Sequence, residues 1–280
     1  MSAVAVTNSA YQLTFVGLLR GEWIKLWSLR STYWCLGLMI LQSVGLALLL
    51  SSVRSGPKVV EGSQLSQQTQ AAFVASGGTT IGELIVAVLG VLVISGEYGT
   101  GMIRSSFAAD PRRLPTLVAK GLVLSVTTFV AALIGVYLAA AVAFPLLASD
   151  KIYPVMSDGK LELALVGAAA YLAIISLIAF SLGAIIRSTA GGIAAALGLI
   201  LVVPIVMTVL VRVTQAHWAV NVAAFEPTGA GDLMFQYFTK DPTGTYGIIT
   251  LTQTTGPLVF FGWFVVLFAI AAVLLKRRDA

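Results

Sequence analysis

The chain has almost none of the residues that build disulfides, metal sites or common catalytic centres. It contains one cysteine, Cys35, and one histidine, His217. A single cysteine excludes a disulfide within the chain and a cysteine-ligated metal site, and a single histidine leaves little for a histidine-ligated metal. The carboxylates are scattered and complete neither a catalytic triad nor a metal centre. The sequence therefore predicts no catalytic residue, no metal site and no cofactor bound by this chain.

Charged residues are also scarce. Only 10% of the 280 residues are charged, whereas 58% are hydrophobic, and soluble domains carry about 25% charged residues. This composition, with its long apolar runs, predicts an all-α integral membrane protein whose first partner is the lipid bilayer. The net charge of +5 does not indicate nucleic-acid binding, because the basic residues flank apolar runs and do not cluster on a polar face.

Six apolar runs are long enough to cross a bilayer as helices. We place the spans at about 33–52, 79–95, 117–147, 161–186, 190–211 and 256–275, within a single transmembrane domain over residues 1–280. The segments expected on one side of the bilayer carry eleven Lys and Arg residues, and those on the other side carry six. The positive-inside bias therefore predicts that both termini are cytoplasmic.

A polar stretch, residues 96–113, separates the second and third spans. Its sequence, GEYGTGMIRSSFAADPRR, has too many charges to lie in hydrocarbon and predicts a cytoplasmic loop exposed to water. Gly96 and Gly101 have the spacing of a phosphate-binding loop, but Met102 and Ile103 stand where Lys and Ser or Thr are required. The chain is thus not expected to hydrolyse ATP itself. The alternative interpretation is that these charges only determine topology.

Residues 18–31, LLRGEWIKLWSLRS, precede the first span and combine apolar and charged positions at helical spacing. The apolar face comprises Leu19, Trp23, Leu26 and Trp27. Glu22 and Lys25 lie elsewhere and are spaced to form an ion pair. The pattern predicts an amphipathic helix in the membrane interface, where indole rings are favoured. The alternative is that the segment is only the charged flank of the first span.

Two features are expected towards the outer side. Glu83 is a carboxylate within the second span, which makes it a functional candidate unless it lies close enough to the outer end to reach the headgroups. The outer segment, residues 212–255, is long enough to be functional or partly structured. We expect it to dip towards the membrane through Phe235, Tyr237 and Phe238.

Three motifs in this order resemble permease subunits of the ABC-2 type ABC transporters. They are GEWIKLWSLRS, GEYGTGMIRSSFAADPRR, and SLGAIIRSTAGG at the turn between the fourth and fifth spans. The resemblance covers nearly the whole chain and is greatest to the actinobacterial branch that resembles antibiotic and multidrug exporters. It implies a type V exporter-like fold in a bacterial cell membrane. It also implies export of a hydrophobic or amphipathic substrate, driven by ATP and Mg bound to a separate dimer of ATP-binding subunits, beside a second permease copy or paralogue.

The same resemblance implies roles for individual residues. Residues 18–31 would be a connecting helix and residues 96–113 would carry a coupling helix that docks on the ATP-binding subunit. The connecting helix would use Glu22, Trp23, Lys25 and Trp27. The docking contacts would be Glu97, Tyr98, Thr100, Arg104 and Ser105, with Arg187 and Ser188 in a second, smaller contact. An extracellular gate would include Phe235 and Phe238.

A stand-alone secondary transporter or channel is the alternative function. Six spans would suit it, but such proteins normally place paired charges or broken helices near the membrane midplane. The sequence predicts only Glu83 well inside a span. A membrane enzyme would need a polar cluster at one depth, and the sequence does not assemble one.

Overall fold

The described part of the chain is mainly helical and contains no strand. The computed structural model describes residues 14–52, 64–100, 114–149, 151–237 and 247–277. The helices are α1 (Phe15–Ser28), α2 (Arg30–Ser52), α3 (Gln64–Ser76), α4 (Thr79–Thr100), α5 (Leu114–Ser149), α6 (Gly159–Ile186), α7 (Thr189–Leu197), α8 (Val203–Thr214), α9 (His217–Ala224), α10 (Pro227–Asp232) and α11 (Thr255–Arg277). A π-helical turn, Gly198–Val202, joins α7 to α8.

Six segments within the described ranges are long and apolar enough to cross a membrane. They are Arg30–Ser52, Gln67–Gly99, Leu114–Ser149, Gly159–Ile186, Thr189–Thr214 and Thr255–Arg277. The number and order of these segments confirm the sequence prediction of an all-α, multi-pass membrane protein.

Successive spans run in opposite directions, so their ends gather in two groups. One group contains α1, the C-terminal end of α4 and the N-terminal end of α5, which are joined by contacts among Glu22, Glu97 and Lys120. We call this the α1 end. The other group is joined by a hydrogen bond from the Tyr237 hydroxyl to Asp158, and we call it the opposite end.

The second span begins earlier than predicted, because the Gln- and Ser-rich stretch before it is a helix. α3 and α4 meet at Gly77 and Gly78, and Gln67–Gly99 forms one candidate span. The polar side chains of α3 are held by protein contacts: Gln68 is buried, and the Gln67 side-chain oxygen accepts a hydrogen bond from the Tyr153 N–H at 3.1 Å. Neighbouring elements thus bind part of the amide groups of α3, while Gln68 Oε1 and Gln70 Oε1 are buried without a hydrogen bond among the described residues.

α6 is the central helix of the bundle. In the most apolar 18-residue stretch of its span, 72% of the residues are buried. The corresponding share is 11% for Thr189–Thr214 and 17% for Thr255–Arg277. α4 approaches α6 closely, since a Cβ atom on Gly90 would lie 2.2 Å from the carbonyl oxygen of Ser176. The fifth and sixth spans therefore leave most of their apolar surface facing outwards.

α1 presents a different face to the protein from the one that its sequence predicts. Glu22 is 4% exposed and Leu26 is 3% exposed, whereas Trp23 is 45% exposed. Leu26 and Glu22 therefore face the bundle together, and Trp23 of the same predicted apolar face is half exposed. That this exposed side lies in the membrane interface stays a prediction. A carboxylate faces inwards because two ammonium groups lie there.

The outer segment contains a helix pair that lies beside the spans. α9 and α10 follow α8, and the indole N–H of Trp263 donates a hydrogen bond to the carbonyl oxygen of Phe225 between them, at 2.9 Å. Trp263 lies about 12 Å along α11 from its first residue. The pair is packed at that depth, since a Cβ atom on Gly231 would lie 2.6 Å from the Tyr171 ring. Part of residues 212–255 is thus inserted alongside the membrane helices.

Candidate functional site

Four charged side chains form a closed ring at the α1 end. The Glu22 carboxylate accepts a hydrogen bond from the Lys25 Nζ at 2.8 Å and a second one from Lys120. Glu97 Oε1 accepts from Lys120 Nζ at 2.7 Å and lies 3.3 Å from Lys25 Nζ. Each carboxylate in this charge ring therefore contacts both ammonium groups, and the ring is electrically balanced.

The charge ring is largely removed from water. The side chains of Lys120, Glu22 and Glu97 are 5%, 4% and 9% exposed, and that of Lys25 is 37% exposed. Burying one such charge alone costs several kcal/mol, so a buried ion cluster is retained only where opposite charges compensate each other. The arrangement consequently ties α1, α4 and α5 together, because each helix contributes at least one member that the others need.

The spacing of these residues explains how the charge ring forms. Glu22 and Lys25 are three residues apart on α1 and share one face, while Glu97 lies in the last turns of α4.

Burial lowers the pKa of the Lys25 ammonium, but hydrogen bonding and charge attraction to Glu22, and then to Glu97, outweigh it, so the pKa is raised above its usual value. The ammonium form is therefore the one that the ring stabilises.

A cavity of about 270 Å³ borders the charge ring. Its lining includes all four ring residues together with apolar groups from α1, α4 and α5, such as Leu26. The helix ends beside the charge ring are therefore not close-packed on this side.

A second contact at the α1 end joins two segments that are far apart in sequence. The guanidinium carbon of Arg187 lies 5.4 Å from the centroid of the Tyr98 ring, within the distance of a cation–π interaction. Arg187 ends α6 in a left-handed conformation with φ 57°, and the Ser188 side chain caps the N-terminus of α7 by accepting from the Gly191 N–H at 3.4 Å. The turn between the fourth and fifth spans is thereby held against the end of α4.

The predicted cytoplasmic loop begins later than its sequence suggests. α4 continues to Thr100, so Glu97 and Tyr98 are helical, and Glu97 is buried in the charge ring. The prediction that the loop starts at residue 96 and exposes Glu97 to water is wrong, because Lys25 and Lys120 supply the solvation that water would otherwise provide. Two predicted docking residues, Arg104 and Ser105, lie outside the described residues.

The remaining predicted residues fall at different places. Trp27 is half-buried on α1, with its ring centroid 5.7 Å from that of Trp23. Phe235 packs edge-on against Tyr171, with 5.2 Å between centroids, so it belongs to the packing around the helix pair. Phe238 lies outside the described residues, and the gate stays a prediction.

A second polar cluster lies away from the charge ring, and the sequence analysis did not find it. The Tyr171 hydroxyl on α6 donates a hydrogen bond to the Glu83 carboxylate on α4. The charge of Asp232, at the end of α10, acts on both groups. Glu83 lies near the middle of the candidate span Gln67–Gly99; that it reaches the headgroups stays a prediction. No sequence signal connects these three residues, because they come from distant helices.

Lys120 is one of the eleven Lys and Arg residues that the sequence analysis used only to predict topology. It lies seven residues into α5 and is 5% exposed. A lysine inside the first turns of an apolar span was the available signal, since such a residue normally has a partner. The residue type alone does not identify that partner.

No protein-family model matches the chain, and no curated protein sequence matches it.

Proposed function

We propose that this chain is the membrane-spanning permease subunit of an ATP-driven exporter with the ABC-2 type fold. In this proposal a separate dimer of ATP-binding subunits binds ATP and Mg and docks at the α1 end, which faces the bacterial cytoplasm. A second permease copy or paralogue completes the complex. The chain itself is not an enzyme.

The observation that carries the proposal is the charge ring. Residues 101–113 connect α4 to α5, and the last turns of α4 and the first turns of α5 are held together and to α1 by Glu97 and Lys120. A partner that pushes on the connecting segment would therefore move three helices as one body. Rigid-body coupling of this kind is how the movement of an ATP-binding subunit can reach membrane helices.

The contact between Tyr98 and Arg187 also supports this function. The resemblance implies two docking contacts on the cytoplasmic side, one after the second span and one at the turn between the fourth and fifth spans. Tyr98 and Arg187 belong to these two segments and touch each other. One partner surface can thus engage both segments at the same time.

Co-purification tests the proposal. The chain is tagged at its C-terminus, expressed with its genomic neighbours and purified in mild detergent. We expect it to recover a subunit that carries a phosphate-binding loop. Arg104→Glu is expected to reduce recovery strongly, because it reverses a charge in the connecting segment. Lys160→Glu is the matched control, since Lys160 is exposed at the opposite end.

The docking test avoids Glu97, because its loss would disturb the charge ring and not only the docking surface. Equal recovery with Arg104→Glu and Lys160→Glu would contradict docking through residues 101–113. If the wild-type chain recovers no ATP-binding subunit and moves solutes on an ion gradient in liposomes, the permease proposal is overturned.

One observation favours the alternative of a secondary transporter. Glu83 and Asp232 are carboxylates near one depth of the bundle, with a buried tyrosine between the helices that carry them. Such clusters occur on ion pathways. The liposome experiment described above distinguishes the two functions.

A further inference from the structure

An apolar groove lies between the fifth span, the helix pair and α11. Its volume is about 530 Å³, which is within the range of sites for small ligands. The lining combines aliphatic, thioether and aromatic side chains with one carboxylate. It includes Leu199, Met207, Phe225, Glu226 and Trp263.

The groove lies at the depth of the hydrocarbon. Leu199 and Met207 are both at least about 10 Å from either end of Thr189–Thr214 along the helix axis. Glu226 follows Phe225, whose carbonyl oxygen accepts the hydrogen bond from Trp263 within α11. A carboxylate at this depth is costly unless another group compensates it.

Glu226 has no compensating partner among the described residues. Its Oε2 atom is buried and accepts no hydrogen bond there, and the ion pairs of the described ranges all lie in the charge ring. The other polar groups of the groove are occupied. Asn221 donates to the Gly247 carbonyl oxygen at 2.9 Å and accepts from the Ile249 N–H at 2.7 Å. Glu226 is therefore the polar group left for a ligand.

Two other carboxylates of the bundle, Asp232 and Glu83, are not part of the groove lining. The charge of Glu226 acts on Asp232, and that of Asp232 acts on Glu83 and Tyr171. The Lys and Arg residues of the described ranges lie towards the ends of the helices. No Lys or Arg of the described ranges pairs with Glu226, which favours a positive charge supplied from outside the chain.

We propose that this groove binds hydrophobic cations, with Glu226 as the counter-ion and the aromatic rings of Phe225 and Trp263 as cation–π partners. A lipid acyl chain would fit the apolar lining but would leave the carboxylate uncompensated. A second copy of the chain would need to bring a basic side chain to this depth, and the described ones are not placed there. A ligand with a delocalised positive charge and apolar substituents satisfies both the lining and the carboxylate.

Direct binding tests this proposal. The full chain is reconstituted in nanodiscs of zwitterionic lipid, and binding of radiolabelled tetraphenylphosphonium is measured by equilibrium dialysis against empty nanodiscs. Tetraphenylborate is the control ligand, because it has nearly the same shape and the opposite charge. We expect saturable binding of the cation and none of the anion. Glu226→Gln is expected to weaken cation binding about tenfold or more, as loss of a charged partner does.

Matched variants separate the site from the fold. Glu162→Gln removes the same charge from an exposed position on α6 and is expected to bind normally. Val222→Trp leaves Glu226 in place but fills the groove, of which Val222 forms part, and is expected to abolish binding. Thermal unfolding confirms that both groove variants are folded. Normal binding by either Glu226→Gln or Val222→Trp would overturn the proposal.

Two results would assign the groove to other occupants and overturn the proposal. Equal binding of tetraphenylphosphonium and tetraphenylborate would indicate a site for lipid chains. Efficient cross-linking of Val203→Cys between two copies in a Cys35→Ser background, with no cation binding, would indicate that a second copy covers the groove.

The interpretation of the bound cation as exported cargo rests on the proposed function, whereas the binding site does not. The nanodisc experiment contains no ATP-binding subunit. Cation binding by a chain that recovers no such subunit would leave the site standing and remove the exporter. Recovery of the subunit by a chain that binds no cation would support the exporter and overturn the binding site.

Discussion

The charges at two depths of α4 are compensated in different ways. Glu97, near the C-terminal end, contacts two ammonium groups in the charge ring. Glu83 lies about four helical turns earlier, roughly 21 Å along the axis, where it accepts a hydrogen bond from Tyr171 and is within reach of the charge of Asp232. An ion cluster holds its helices in one arrangement, because breaking it strands a buried charge. A carboxylate without a counter-ion can instead take up a proton or a cationic ligand.

The largest effect expected from this comparison is at Lys120. Lys120→Met leaves Glu22 and Glu97 with only the half-exposed Lys25 between them. We expect a loss of about 3–5 kcal/mol in the free energy of unfolding, the range for breaking a buried ion pair. Equilibrium unfolding in mixed micelles measures it. The same replacement at the exposed Lys160 is the control and is expected to change stability by less than about 0.5 kcal/mol.

The double variant Lys120→Met/Glu97→Gln checks that the ring acts as a unit. It restores electrical balance, with Glu22 and Lys25 still paired. Its loss of stability is expected to be smaller than the summed losses of the two single variants, as for residues in one network. Additive losses would contradict coupling around the ring.

A smaller effect is expected at the second cluster, and it differs between the two partners of one hydrogen bond. Tyr171→Phe leaves a Glu83 oxygen without its donor and is expected to cost about 1–3 kcal/mol. Glu83→Gln keeps an acceptor oxygen for Tyr171 and strands no charge, so its cost is expected to stay below about 1 kcal/mol. The same unfolding measurement applies. A loss of unfolding free energy for Glu83→Gln as large as that for Lys120→Met would show that Glu83 has a counter-ion. Glu83 and Glu97 would then not differ in how their charges are compensated.

The smallest effect is expected at the opposite end, where a partly exposed ionisable pair is screened by water. The hydrogen bond from Tyr237, and then that from the Lys160 N–H, lowers the pKa of Asp158 below its usual 3.8. Burial, and then the hydrogen bond and charge of Asp158, raise the pKa of Tyr237 to about 12. The interaction therefore stabilises the fold at pH values between the pKa of Asp158 and that of Tyr237. It is lost as the pH falls through the folded-state pKa of Asp158, or rises through that of Tyr237.

The thermal midpoint of the wild type minus that of Asp158→Asn reports this stabilisation against pH. We expect a small difference at neutral pH that disappears in acid. A difference that stays constant down to below the usual pKa of an aspartate would indicate that the two side chains are not coupled. The asparagine still caps α6, so the loss of the cap does not obscure the result.

Much of the fold follows from hydrophobicity alone. Six apolar runs predict six spans, because a helix that satisfies its own backbone is the structure an apolar run adopts in lipid. The same reasoning misplaced the start of the second span, since the amides of Gln67 and Gln68 are of a type suited to water but hydrogen-bond the loop around Tyr153 and Val155 instead. Gln68 Oε1 stays buried without a hydrogen bond among the described residues. It also missed the helix pair α9 and α10, whose short length gives a weak periodic signal.

The candidate site was predicted in part. Glu22, Lys25 and Glu97 were singled out because charges beside apolar runs need an explanation, but they were assigned to a helix surface and a loop. Their common environment depends on Lys120, which lies on a third helix and comes close only when α5 packs against α1 and α4. Glu83, Asp232 and Tyr171 similarly meet only through the packing of α4, α6 and α10.

By itself, then, the sequence determined the class of protein, the number of spans and the end of the bundle at which basic residues concentrate. These properties follow from composition and from local runs of residues, which act over one helix at a time. The tertiary structure decided which charges are compensated and which are not. That distinction depends on distances between residues from different helices, because electrostatic energy in a low-dielectric interior changes steeply over a few ångströms.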